Sequence, residues 1–137
     1  MQVEAYLTFA GNCEEALKFY ERCLDGRIVA LFRYEGSPMD NEQLPPDWKS
    51  RVMHATFDAG GTRFMASDGM PGQPAPHYAG FAMSVNIPRD KTLAKQAFNA
   101  LAEGGQVAVP FEKAFWGAHF GMLTDKFGVP WMVNSED

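Results

Sequence analysis

The sequence predicts an α+β protein built from two βαβββ modules, and three observations carry that reading. An amphipathic helix closed by glycine occurs twice, each time after one apolar run and before three more. The segment GMPGQPAPHYAG, rich in proline and glycine, separates the two series as a connection would. The length of 137 residues suits a single domain able to bury a core, with module one over about 1–70 and module two over about 78–137.

VEAYLTFAG is a short apolar run and predicts the first strand. Asn12 stands where an N-cap belongs, with Glu15 three residues on to reach back, so a helix starts there. Cys13, Ala16, Leu17, Tyr20, Cys23 and Leu24 follow the i, i+3, i+4, i+7 spacing of a buried stripe, and Gly26 is the expected left-handed stop. RIVALFRYE predicts a strand, after which residues 36–50, GSPMDNEQLPPDWKS, break every pattern. RVMHATFDAGGTRFMASD then predicts a hairpin turned by Gly60 and Gly61. In the second module FAMSVNI is a strand and Asp90 an N-cap. Leu93, Ala94, Ala97, Phe98 and Leu101 mark the buried stripe of a helix ended by Gly104 and Gly105. QVAVPFE, AFWGAHFGMLT and PWMVN supply three further strands.

Composition removes several function classes. A formal net charge of −5 with interspersed signs argues against nucleic acid as a partner. No apolar stretch approaches the ~20 residues of a membrane span and no leader pattern opens the chain, so the expected location is the cytoplasm, away from membranes. Cys13 and Cys23 fall on one helix about 15 Å apart, too far for a disulfide, and read as buried thiols. No G-x-S-x-G elbow, P-loop or dinucleotide fingerprint is present.

EEALKFYERCLDGRI, MHATFDAGGTRFMASD and FWGAHFGMLTDKFGVPW carry a resemblance to the vicinal oxygen chelate superfamily, which includes glyoxalase I, bleomycin resistance proteins and extradiol dioxygenases. The sequence is most similar to its PhnB-like branch, whose domain has also carried a demethylubiquinone methyltransferase label. The resemblance implies a curved mixed sheet with a central cleft, a homodimer, and a divalent metal held in the cleft by side chains of four strands. Carried over, the four ligand positions fall at Ala5, His54, Gly80 and Met132. Alanine and glycine offer no donor and a thioether is a poor ligand for a hard ion, so no metal is expected, and His54 is the one competent ligand if any is bound.

Period-2 alternation in RVMHATFD puts Val52, His54, Thr56 and Asp58 on one face and Met53, Ala55 and Phe57 on the other. His54 is therefore either a hydrogen-bonded structural histidine or a cleft residue acting as ligand, base or substrate contact. Tyr6, Phe64, Trp116 and Trp131 fall on predicted strands, where most aromatics are core and one or two would line a cleft. Trp48, in the polar loop 36–50, needs cover from the loop, a ligand or a partner subunit, and marks that loop as a lid or dimer contact. His119 is read as structural, His77 as exposed, and Asp68 and Asp125 as turn caps.

The expected function is metal-independent binding of a small planar molecule, in the manner of bleomycin resistance proteins. One alternative is a metal-dependent lyase, isomerase or dioxygenase using Zn, Ni, Mn or Fe as a Lewis acid. The other is an interaction module with no small-molecule role. No motif for a methyl-donor cofactor is visible, and a pair of βαβββ modules is not the doubly wound sheet that usually carries one.

Overall fold

A computed structural model describes all 137 residues, and the chain divides into two units, Met1–Pro76 and His77–Asp137. The first contains β1 (Tyr6–Thr8), α1 (Cys13–Leu24), β2 (Arg27–Arg33), β3 (Val52–Ala59) and β4 (Thr62–Ser67). The second contains β5 (Met83–Asn86), α2 (Lys91–Ala102), β6 (Gln106–Lys113), β7 (His119–Thr124) and β8 (Pro130–Ser135). Each is therefore a βαβββ module with one four-stranded mixed sheet. The strand orders correspond, β1-β4-β3-β2 in the first and β5-β8-β7-β6 in the second. In both, the first strand runs parallel to the last, and the remaining pairs are antiparallel. No helix is long and apolar enough to cross a membrane.

In the first unit α1 buries Cys13, Ala16, Leu17, Phe19, Tyr20 and Cys23. Tyr20, completely buried, meets the rings of Phe57 and Phe64 edge-on at 6.5 and 6.4 Å, and those two rings stack at 5.0 Å. Burying each such ring stabilises the unit by roughly 1.5–3 kcal/mol over leaving it in water. Gly60 and Gly61 both take positive φ, as the tight β3–β4 turn requires. In the second unit α2 buries Ala94, Ala97, Phe98 and Leu101 and packs on β7 and β8, which bury Leu123, Trp131 and Val133. The Asp90 carboxylate caps α2 by accepting from the Leu93 amide at 3.0 Å.

Local differences from the sequence expectations have physical causes. Asn12 occupies the N-cap of α1 without capping it through its side chain; Asp68 Oδ1 instead accepts from the Gly11 and Cys13 amides, both at 2.9 Å. The left-handed residue after α1 is Asp25, at φ 51°, not Gly26. Gly26 is needed for room, since a Cβ there would lie 2.7 Å from the Phe57 ring and the Asp58 carbonyl. Leu93 belongs to the periodic stripe of α2 yet is 49 % exposed. AFWGAHFGMLT is not one strand: residues 114–118 form a turn in which the Ala114 amide donates to the Ala118 carbonyl, so Phe115 and Trp116 sit at a hairpin tip. Val52 is buried rather than sharing the half-exposed face of His54, because β2–β3 pairing slips between Phe32 and Arg33.

Candidate functional site

The helix-bearing face of the first sheet is identified by Phe57 and Phe64, which touch Tyr20 of α1. Strand alternation then sends His54, Thr56 and Asp58 of β3, with Arg63 and Met65 of β4, to the opposite, helix-free face. Cross-strand register adds Tyr6, which pairs with Met65, and Phe32, which pairs with His54. Tyr6 and Phe32 are 48 and 58 % exposed. The result is a polar centre edged by apolar groups.

At that centre the Tyr6 hydroxyl and His54 Nδ1 are 3.0 Å apart, with ring centroids at 5.7 Å. His54 Nε2 lies 3.5 Å from Thr56 Oγ1. The imidazole is thus oriented from both sides, and the proton in the Tyr6–His54 bond can sit on either atom depending on tautomer. Such a pair can donate to or accept from an oxygen-bearing ligand. Along the same face Asp58 takes a two-point hydrogen bond from Arg63, at 2.7 and 3.0 Å. The bond holds the Asp58 carboxyl below its ordinary range and raises the Arg63 guanidinium.

Of the other candidates, Phe64 packs in the first core against α1. Trp131 is buried in the second, its indole Nε1 donating to Asp125 Oδ2 at 2.8 Å. Within the first unit Phe64 therefore lies on the opposite face of the sheet from Tyr6 and His54. Trp116 is 55 % exposed at the β6–β7 tip, edge-on to Phe115 and Phe120. Trp48 sits on a single 3-10 turn, Pro46–Trp48, edge-on to Tyr34 at 5.5 Å, with the Arg51 guanidinium 4.2 Å from its ring centroid. Tyr34 and Arg51 of its own unit thus cover part of the half-exposed ring. Tyr34 closes the same corner by donating to the Gly69 carbonyl, and burial raises its hydroxyl pKa.

Asp68 is more than a turn cap: its second oxygen accepts from the Val52 amide at 2.8 Å, so one buried carboxylate joins the β1–α1 loop to the start of β3. Asp125 caps its turn as expected, Oδ1 accepting from the Phe127 and Val129 amides. Cys13 and Cys23 are buried free thiols, and burial raises the Cys13 pKa far above the usual thiol range, which makes it a poor nucleophile. Phe32, Met65 and the Asp58–Arg63 pair were not singled out from sequence. Their signal lies in cross-strand register, which no local pattern displays.

The donor set does not fit a divalent ion. No three or more His, Cys, Asp or Glu side chains are grouped so as to hold a metal, and of the four positions that the resemblance would make ligands only His54 has an oxygen or nitrogen side-chain donor.

The same architecture recurs in known proteins. Protein PA1353 from Pseudomonas aeruginosa superposes with a TM-score of 0.87 at 44 % identity, over 99 % of this chain and 98 % of that one. The PhnB protein from Bacillus cereus, described as a 3-demethylubiquinone-9 3-methyltransferase, gives 0.78 at 27 % identity, over 98 and 99 % of the two chains. A glyoxalase/bleomycin resistance protein from Albidiferax ferrireducens T118 shares the fold, with a TM-score of 0.64 at 16 % identity over 98 % of each chain. The model of the 3-demethylubiquinone-9 3-methyltransferase family matches residues 1–134. With nearly the whole chain matched, this protein belongs to that PhnB-like family, on the glyoxalase/bleomycin resistance fold.

Proposed function

We propose that the protein binds a small planar molecule bearing ring oxygens, without a metal, on the helix-free face of its first sheet. The observation that carries this reading is the oriented Tyr6–His54–Thr56 set, open to solvent and edged by Phe32 and Met65. Phe32 offers flat apolar contact and Met65 a pliable thioether, while the phenol and imidazole meet an oxygen. A quinone, the compound class named in the family description, has that combination, and so does a phenol. We further propose that the protein works as a homodimer in the cytoplasm, where Cys13 and Cys23 stay reduced.

The test is a thermal-shift screen of planar phenols and quinones, followed by calorimetry on wild type, Tyr6→Phe and His54→Ala. Ligands that bind wild type and lose affinity in both variants support the reading; ligands indifferent to both variants sink it. A parallel titration with Zn(II), Ni(II), Mn(II) and Fe(II) is expected to show no stoichiometric, His54-dependent binding. Such binding would instead favour a metal-dependent lyase, isomerase or dioxygenase. Sedimentation velocity at micromolar concentration checks the dimer, and a monomer there would retire it.

A further inference from the structure

The second unit has a groove of its own on the helix-bearing side of its sheet, bounded by the first turns of α2 and by β6 and the start of β7. Its volume is about 520 Å³, within the range of small-ligand pockets. Its floor is aromatic. Phe98, on the buried face of α2, lies 5.7 Å from Phe111, and Phe111 lies 6.0 Å from His119, with interplanar angles of 35 and 33°. Gly121 lets this series pack closely, since a Cβ there would stand 2.7 Å from the Phe98 ring and 2.9 Å from the Phe111 Cα. The series starts in the core and ends at half-exposed rings that face the groove.

Three lysines surround that end: Lys91 and Lys95, one helical turn apart on α2, and Lys113 on β6, paired in register with His119. None of the three makes an ion pair within the protein, although the chain as a whole carries a net charge of −5. Glu112 is the one carboxylate of the lining and is likewise unpaired. Gln96, Asn99 and Thr92 complete the wall with neutral donors and acceptors. His119 makes no hydrogen bond to the protein through its ring, which leaves both nitrogens available to a ligand.

We propose that this groove is a second binding site, for an aromatic carboxylate. The ring would extend the Phe98–Phe111–His119 series, and the anionic group would lie among Lys91, Lys95 and Lys113. An aromatic floor without the lysines would take any apolar molecule. Lysines without the floor would hold only a loosely screened counterion. Their combination selects a ligand having both features.

The experiment is a titration of the full chain with naphthoate, followed in amide proton–nitrogen correlation spectra, beside the neutral naphthalenemethanol. Naphthoate is expected to shift the amides of 91–99, Lys113 and His119, and to bind more tightly than the neutral analogue. The Lys95→Glu, Lys113→Glu double variant, its fold verified by an otherwise unchanged spectrum, is expected to bind naphthoate about tenfold more weakly. Unchanged affinity in the double variant would overturn the assignment. So would shifts confined to Tyr6, His54 and Phe32, which would support the first-unit site and not this one.

Discussion

Tyr6 and His54 hold one another through a single hydrogen bond on an exposed sheet face, so each can be altered without opening a core. Tyr6→Phe keeps the ring and removes the hydroxyl. It is expected to weaken binding of a phenolic ligand by roughly fivefold, the worth of one hydrogen bond, with little change in melting temperature. Calorimetry and a melting curve on the same sample check both halves. Asp68 should behave in the opposite way: it is buried and accepts from three backbone amides, so Asp68→Ala strands those donors. A loss of about 3 kcal/mol in urea unfolding is expected, without a specific effect on ligand contacts. The Asp58–Arg63 pair carries a pH signature. Because Arg63 lowers the Asp58 pKa from 3.8, the contribution of the pair is complete above that value and fades as pH falls through the lower, folded-state pKa. Arg63→Gln should raise the Asp58 titration midpoint toward 3.8, read from its carboxyl carbon shift.

Periodicity and punctuation made most elements visible, and packing decided what they did not show. Both helices were legible because an apolar stripe at helical spacing has few other uses, and the Gly60–Gly61 turn because two adjacent positive φ angles suit glycine. Leu93 shows the limit of the first signal: it follows the stripe but lies at the open first turn of α2, and stays half exposed. Leu93→Lys should therefore change stability by no more than about 0.5 kcal/mol. Gly121, which periodicity treats as a gap, has no room for a Cβ against Phe98 and Phe111, so Gly121→Ala should cost about 2 kcal/mol. Equilibrium denaturation of the two variants compares these directly. The strand expected over 114–124 was too long because Phe115 and Trp116 have strand-like composition, whereas their backbone forms a turn. At the candidate site, His54 and Tyr6 were legible individually. Their hydrogen bond was not, because it joins residues 48 positions apart through strand register.

The two units repeat one architecture with almost unrelated side chains, and their chemistry divides accordingly. The helix-free face of the first carries a phenol–imidazole pair edged by Phe32 and Met65, while the groove beside α2 in the second carries unpaired lysines over aromatic rings. The acidic balance of the whole chain, with an isoelectric point near 5.1, sets where it should be least soluble. A turbidity scan is expected to peak close to that pH and to decline on either side. Tryptophan placement has a further use. Trp48 is the only indole of the first unit and lies beneath the Arg51 guanidinium; Trp116 and Trp131 both belong to the second, one exposed and one buried beside Asp125. A chain with Trp116→Phe and Trp131→Phe would emit from the first unit alone, and one with Trp48→Phe from the second alone. The native chromophores thus act as built-in optical labels, able to tell which half responds first to heat, denaturant or an added ligand.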